Sequence, residues 1–226
     1  MILTDPLTLV PLHLGLFIET IGTDLPFFLT VVVTVVFSIT LHELAHGYAA
    51  IRLGDDTPIR TGHMTLNPIV HMGPFSLIAL AIAGIAWGSM PIDPSRIRHK
   101  YGEAIVAAAG PATNLLLAAV GVVGYGLLIR FGLTSSNIGD NAADFLWTFG
   151  FINAALMVFN LLPVPPLDGS HILANFNDGY ARFISNPSNQ GLVFILFPIA
   201  FLLSSRFFAV IGDILNPIAR FIAGTG

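Results

Sequence analysis

The sequence contains no cysteine among its 226 residues, and few of its side chains carry a charge. Without cysteine the chain has no disulfide framework, no thiolate metal site and no cysteine nucleophile. Charged residues make up 10% of the chain and apolar residues 54%, and the mean hydropathy is +0.81. An ordinary soluble domain carries about 25% charged residues. The composition therefore excludes a free-standing soluble domain and favours an integral membrane protein.

The balance of charge argues against a nucleic-acid partner. There are 9 Lys and Arg against 13 Asp and Glu, and the basic residues form no stripe of the kind that binds phosphates. Residues 1–6 lack a basic segment and include Asp5, so we expect no cleaved signal peptide. From the length, we expect one membrane-embedded domain over residues 1–226.

Long apolar runs predict an all-α polytopic membrane protein, because a helix needs about 20 apolar residues to cross a bilayer. The runs cover residues 7–18, 25–41, 104–131, 142–162, 191–203 and 207–224. We expect about six transmembrane helices, of which the three central ones form the catalytic core. The last two runs are separated by Ser204-Ser205-Arg206, so we expect a pair of helices there.

Residues 75–87 form a shorter apolar stretch between Pro74 and Pro91. At this length the stretch fits either a tilted crossing or a re-entrant segment. Basic residues cluster on its two flanks, namely Arg52, Arg60, Arg96, Arg98 and Lys100. Because Lys and Arg are enriched in cytoplasmic loops, both flanks are expected inside the cell. We therefore predict a re-entrant or interfacial segment near 75–90, with both chain termini cytoplasmic.

A metal-binding signature follows the first central run. The segment reads His42-Glu43-Leu44-Ala45-His46, an H-E-x-x-H pattern on a predicted helix. The two histidines are one turn apart, so both imidazoles project from one face and can share one zinc ion. Glu43 projects beside the metal position, where it can take a proton from the attacking water and pass it to the leaving amine. The alternative is that these His and Glu side chains form a polar cluster at a helix end that reaches towards the membrane surface. This alternative does not explain the spacing of the two histidines.

A catalytic zinc ion usually has three protein ligands and one open position, so a third ligand is expected elsewhere. The best candidate is Asp168, which follows three prolines within residues 163–166. These prolines forbid a regular helix, and irregular backbone at membrane depth is tolerated only where it lines a cavity or is buried in protein. Asn160, just before the break, offers an amide. The alternative is that Asp168 only caps the helix that begins near Gly169.

Together these motifs resemble the site-2 protease family of intramembrane zinc metalloproteases. The similarity rests on the segment from His42 to His46 and on Asn160, Pro163 and Leu167-Asp168-Gly169. Segments that also match the compact prokaryotic branch are Leu66-Asn67-Pro68, His71, Pro74-Phe75, Gly110-Pro111, Asn114 and Ser170-His171. The matches span about residues 25–175, which we interpret as the catalytic core, flanked by helices at 7–22 and 191–224.

The resemblance implies that His42, His46 and Asp168 bind one Zn²⁺ per chain and that Glu43 is the general acid and base. It also suggests Asn160 as a polar group near the substrate or the oxyanion. The implied substrates are transmembrane helices of other proteins in the prokaryotic cell (inner) membrane, cleaved in regulated intramembrane proteolysis. The sequence shows no PDZ-like insertion and no appended nucleotide-sensing (CBS) module. We therefore expect substrate selection to rest on the membrane core or on partners.

Further residues are expected to line the site, namely Asn114, His71, Pro163 and Pro165. Asn114 is interpreted either as a site-lining group or as a helix-packing group. His171, where relatives often carry Arg, is an alternative ligand or a group next to the ligands, ranked below Asp168. His63 is interpreted as a solvated or structural histidine.

Helix length places the predicted zinc site inside the membrane. Counted from residue 26, His42 lies about 24 Å along the axis, within a hydrocarbon core about 30 Å thick. Asp168 must reach the same depth to bind the same ion, and it does so only if residues 75–87 do not cross the membrane.

Two other classes of protein fit some of these residues. One is a transporter or metal channel, although no repeated half is visible. The other is a pseudoprotease that binds membrane helices without cutting them.

Overall fold

The computed structural model describes residues 17–134 and 136–225, apart from the side chains of residues 194 and 201–207. Within these residues every regular element is helical, which confirms the predicted all-α fold. The helices are α1 (Thr20–Thr23), α2 (Leu25–Arg52), α3 (Thr57–Arg60), α4 (Pro68–Ala83), α5 (Gly102–Arg130), α6 (Asn137–Asn160), α7 (Asp168–Phe176), α8 (Asp178–Ser185) and α9 (Gln190–Ala223). Short 3-10 turns lie at Phe17–Glu19, Pro94–Arg96 and Pro187–Asn189.

Three of these helices, α2, α5 and α6, are long and apolar enough to cross a membrane. They contain 28, 29 and 24 residues, so the shortest is about 36 Å long at 1.5 Å per residue. Large apolar side chains such as Val33, Leu116 and Val120 are exposed on their outer faces. A helix that is apolar on its outer face as well as in its packing interface is typical of a membrane span.

The three long helices pack as a bundle with α5 in the centre. A Cβ on Gly121 of α5 would lie 2.5 Å from the backbone nitrogen of Gly150 in α6, so glycine lets these two helices approach closely. Hydrogen bonds join His46 to Val106 and Asn114 to Asn153. The C-terminal halves of α2 and α6 therefore meet the N-terminal half of α5, and α5 runs opposite to both.

The α4 segment turns back instead of crossing the bundle. α4 has 16 residues and is interrupted at Gly73, whose φ of 66° favours glycine. After α4 the Trp87 N–H donates to Ser76 Oγ (2.8 Å), and the Ser76 hydroxyl donates to the Trp87 carbonyl (2.7 Å). The Ser89 N–H donates to the His71 carbonyl (3.0 Å). These bonds return the chain along α4 to the end where it began, in agreement with the predicted re-entrant segment.

The returning segment is anchored beside the end of α2. Asp55 is fully buried, and its carboxylate accepts hydrogen bonds from the Asp93 N–H (2.8 Å) and from the N–H and hydroxyl of Thr57. Burial alone would raise the pKa of Asp55, but the hydrogen bonds from Thr57 and Asp93 outweigh it and hold the pKa below its ordinary value. Residues 57–93, which contain α4 and the returning segment, are here called the α4 hairpin. Asp55 therefore ties both ends of this hairpin to one end of the bundle.

The flanking helices differ from prediction. Residues 7–16 of the expected N-terminal helix lie outside the described residues. The predicted break at 204–206 is wrong, since residues 190–223 form one helix; Ser and Arg interrupt an apolar run but are compatible with a helix. The Arg130 side chain donates to the Ile222 carbonyl (3.3 Å). α9 therefore ends beside the C-terminus of α5, at the end of the bundle opposite Arg52 and Gly102.

Candidate metal centre

Three side chains from α2 and α7 converge at one point. His42 Nε2 lies 3.1 Å from Asp168 Oδ2, and His46 Nε2 lies 3.3 Å from Asp168 Oδ1. The three side chains are at most 16% exposed, and their ligand atoms all lie within 4.8 Å of one another. In the part of the chain that the structure describes, no other group of three His, Cys, Asp or Glu side chains is placed to hold a metal ion. The structure thus brings together the predicted ligand set.

The local sequence explains how Asp168 reaches the histidines. α6 ends at Asn160, and the proline-rich segment after it reverses the chain so that α7 packs on α5 and begins beside the two histidines of α2. A Cβ on Gly169 would lie 2.1 Å from the Leu161 carbonyl oxygen, so this close approach requires glycine. Leu167 occupies the N-cap position of α7 without a side-chain hydrogen bond. Asp168 is therefore directed to the histidines rather than acting as the helix cap.

Each histidine ring is oriented through its Nδ1 atom. His46 Nδ1 lies 2.7 Å from the Val106 carbonyl oxygen, and His42 Nδ1 lies 2.5 Å from Asn114 Oδ1. Because these oxygens only accept hydrogen bonds, both rings carry their proton on Nδ1. In the neutral form of each ring, the Nε2 lone pair then faces Asp168.

This donor set fits a zinc ion. Two nitrogen lone pairs and a carboxylate face one another, and Asp168 Oδ2 is buried without a hydrogen-bond partner. A cation removes the repulsion between these groups, and two histidines with one carboxylate are a ligand set that catalytic zinc sites use. A Cβ on Gly110 would lie 2.4 Å from Nε2 of both His42 and His46. Glycine at this position therefore keeps the space beside the ligand atoms free.

Glu43 lies between the histidine pair and the returning segment of the α4 hairpin. Its side chain is buried. A Cβ on Gly88 would lie 2.5 Å from Glu43 Oε1 and 2.7 Å from Ile39 Cγ2. Gly88 therefore packs directly against the carboxyl group and holds it on the histidine side of the site.

The metal centre opens into a cavity of about 720 Å³, a volume within the range of small-molecule sites. The predicted residues that line it are His42, Glu43, His46, Asn114, Asn160, Asp168 and also His171. Much of the remaining wall is apolar and includes Trp87, Phe159 and Phe197. The polar groups are thus concentrated at the metal centre.

Three residues expected to line the site lie outside the cavity wall: Pro163, Pro165 and His71. The Pro163 carbonyl instead accepts a hydrogen bond from the Tyr180 hydroxyl (3.0 Å), which turns this part of the segment towards α8. His71 is buried in the hairpin, where its Nε2 lies 2.7 Å from the Thr65 carbonyl oxygen. His63 remains in the loop before α4, with its Nδ1 beside Thr61.

The sequence prediction missed Asn153, which is fully buried and accepts a hydrogen bond from Asn114. A usable signal was present, because Asn153 precedes Asn160 by seven residues and so lies on the same face of α6. Gly88 was missed as well, and no local pattern marks it. Its contact with Glu43 joins two segments that are distant in the sequence.

The chain is similar to proteins that are named zinc metalloproteases. Residues 131–204 match the model of Peptidase family M50. The chain is 38% identical over 146 residues to "Putative zinc metalloprotease YwhC" of Bacillus subtilis, covering 63% of this chain and 66% of that protein. It is 32% identical over 152 residues to "Putative zinc metalloprotease Rip2" of Mycolicibacterium smegmatis, covering 63% of this chain and 55% of that protein.

An archaeal protein is also similar. "Zinc metalloprotease MJ0392" of Methanocaldococcus jannaschii is 29% identical over 167 residues, covering 71% of this chain and 40% of that protein. The chain therefore matches between 40% and 66% of the length of these three curated relatives. No solved structure matches it significantly.

Proposed function

Because this chain belongs to peptidase family M50, the site-2 protease family, we propose that it is an intramembrane zinc metalloendopeptidase. Its substrates are membrane proteins, which it cuts in or near their transmembrane helices. The observation that carries this proposal is the convergence of His42, His46 and Asp168 with Glu43 in one cavity at the end of a bundle of apolar helices.

His42, His46 and Asp168 hold the zinc ion in this proposal. When bound, the ion supplies Lewis-acid chemistry at the scissile carbonyl and the attacking water. The two histidines present unprotonated Nε2 atoms because their Nδ1 protons are engaged by Asn114 and Val106. The carboxylate of Asp168 offsets part of the positive charge, and the open side of the site faces the cavity.

Glu43 acts as the general base and then as the general acid. Its buried carboxylate accepts a proton from the attacking water and delivers it to the leaving amine. Asn160 lines the same cavity and is the proposed donor to the oxyanion. One N–H of its amide donates to the Leu156 carbonyl (3.0 Å). Since an amide nitrogen carries two hydrogens, the second N–H is left for the substrate.

We propose that the protein is a multi-pass protein of the prokaryotic cell membrane, with the metal-bearing end of the bundle on the cytoplasmic side. The basic residues between α2 and α5 support this orientation. Its partners are then a transmembrane-helix substrate and membrane lipid. A cytoplasmic N-terminus stays a prediction. In this proposal the C-terminus lies on the opposite side, unlike the cytoplasmic C-terminus expected from the sequence, because Phe197 of α9 lines the cavity whereas Ile222 lies beside Arg130.

The absence of native cysteine makes this orientation measurable. Single cysteines are introduced at Lys100, before α5, and at Leu133, after it; both positions are exposed. An impermeant thiol reagent added outside intact cells is expected to label Leu133→Cys and not Lys100→Cys. The reverse pattern contradicts the proposed orientation.

The activity is tested with purified protein in lipid vesicles and a single-span model membrane protein as substrate. We expect Glu43→Gln to retain about one zinc per chain and to lose cleavage by at least about 100-fold, as removal of a general base does. Glu103→Gln is the matched control, because Glu103 lines the cavity but is exposed. Parental cleavage by zinc-loaded Glu43→Gln contradicts the proposal. A zinc-loaded parent that does not cleave favours the non-cleaving alternatives instead.

A further inference from the structure

Asn153 has no role in the chemistry described above, yet it is fully buried in a membrane-spanning helix. Its Nδ2 donates to the Phe149 carbonyl (2.9 Å), and its Oδ1 accepts from Asn114 Nδ2 (3.0 Å). Asn114 Oδ1 in turn accepts from His42 Nδ1 (2.5 Å). Three hydrogen bonds therefore connect the ring of a metal ligand to the backbone of α6.

The direction of these hydrogen bonds is set at the far end. The Phe149 carbonyl can only accept, so the nitrogen of the Asn153 amide must face it and the oxygen must face Asn114. Because Asn153 Oδ1 can only accept, the Asn114 amide turns its nitrogen towards it as the donor. Asn114 Oδ1 is then left facing His42. An acceptor at this position places the ring proton of His42 on Nδ1 and the lone pair on Nε2, towards Asp168.

We propose that Asn153 is a positioning residue that sets the tautomer of His42 through Asn114. The inference rests on the proposed function, because it matters only if Nε2 of His42 binds zinc, and a metal-bound nitrogen carries no proton. If the Asn114 amide turned by 180°, it would present an N–H to His42 Nδ1 and move the ring proton to Nε2. Asn153 Oδ1 prevents this turn, because after the turn Asn114 Oδ1 would face Asn153 Oδ1 and neither oxygen could donate a hydrogen bond.

The second histidine ligand needs no such device. His46 Nδ1 donates directly to the Val106 carbonyl, which belongs to the α5 backbone and cannot turn. Packing alone would not require an amide at position 153 either, because α5 and α6 already approach closely at Gly121 and Gly150. A purely structural role for Asn153 predicts a change in stability without a change in the His42 tautomer.

The experiment uses the full chain in detergent. Zinc affinity is measured by competition between Zn²⁺ and a chromophoric chelator, and the His42 tautomer by ¹⁵N NMR of the ring nitrogens in the metal-free protein. Asn153→Leu is expected to weaken zinc binding about 10- to 100-fold, as loss of a group behind a metal ligand does, and to move the ring proton towards Nε2. Thr34→Val, which alters another fully buried polar side chain, is the matched control and is expected to bind zinc as the parent does.

A conservative variant separates orientation from packing. In Asn153→Asp a carboxyl oxygen takes the place of Asn153 Oδ1 as the acceptor for Asn114, so parental zinc affinity is expected. Parental affinity and a parental tautomer in Asn153→Leu would overturn the proposal. So would a proton on Nε2 of His42 in the metal-free parent, a measurement that requires no variant to fold. A parent that binds no zinc contradicts the metal centre instead, and its His42 tautomer still tests the role of Asn153.

Discussion

The two walls of the cavity are built in different ways. The metal side is formed by α2, α5, α6 and α7, where helices pack along their length and buried hydrogen bonds orient the ligands. The facing wall is the non-helical segment 85–93. This segment is held by discrete hydrogen bonds to Ser76, to the His71 carbonyl and to Asp55. One wall is thus part of the helix bundle, whereas the other is attached to it at a few points.

The difference separates two tasks. A zinc ion requires ligand atoms at fixed separations, and continuous helix packing provides them. The facing wall has to hold Glu43 in place through Gly88 while leaving space for a peptide. Changes on the metal side should therefore remove zinc. Changes on the facing wall should lower turnover while zinc remains bound.

The largest effect is expected from Asp168→Ala. Loss of one of three protein ligands should reduce zinc in the purified protein from about one per chain to a small fraction, because two histidines alone hold the ion weakly. Elemental analysis of the purified protein measures this. Asp178→Ala is the control, since Asp178 is exposed in the first turn of α8. Full zinc retention in Asp168→Ala would contradict Asp168 as the third ligand and favour His171, which lines the same cavity.

Gly110→Ala tests the metal side without removing a ligand. The added methyl group would lie 2.4 Å from Nε2 of His42 and of His46, so the rings must turn away from Asp168. We expect zinc affinity to fall by about 10- to 100-fold, as for other disturbed ligand orientations, although alanine favours a helix more than glycine does. Gly124→Ala on the same helix is the control, since its methyl group meets only the Leu146 side chain, at 3.2 Å or more. Equal zinc affinity in both variants would contradict the proposed packing.

The metal side could be predicted from the sequence because its chemistry is local or carried by strong motifs. His42, Glu43 and His46 follow from helical spacing, and the third ligand was found because prolines mark a break before Asp168. The path of α4 was predicted because His42 and Asp168 have to reach the same depth, and the basic residues on both sides agreed with it. These inferences needed only periodicity, charge and the thickness of a membrane.

The remainder depends on contacts between distant segments. Nothing in the sequence near Gly88 indicates that it packs on Glu43, and the link from Asn153 to His42 passes through a third helix. The wrong break before residue 207 has another cause, since hydropathy falls at polar residues that a helix accommodates. The hydrogen bonds behind the ligands and the facing wall therefore required the three-dimensional structure.

On the facing wall, Gly88→Ala should lower turnover without releasing zinc. Its methyl group would lie 2.5 Å from Glu43 Oε1, so either the carboxyl group or the returning segment must move. A displacement of about 1 Å in a catalytic group costs up to about 100-fold in rate, and we expect a loss of about 10- to 100-fold in kcat. Gly22→Ala is the control, because nothing lies within 4 Å of its added methyl group. Loss of zinc in Gly88→Ala would contradict the expectation that changes on the facing wall lower turnover while zinc remains bound.

The smallest effect is expected from the anchor of the facing wall, Asp55, and it depends on pH. The pKa of Asp55 is lowered in the folded protein, so its charged form stabilises the fold above its unfolded pKa, and this stabilisation is lost as the pH falls through the folded value. The melting temperature of the parent should therefore fall as the pH drops below the unfolded pKa of Asp55. Other carboxylates contribute to the same trend, so Asp55→Asn is compared with the parent over the same range. The variant should have a lower melting temperature than the parent at pH 5, and its melting temperature should fall less on acidification. Equal slopes of melting temperature against pH would show that Asp55 does not hold this wall.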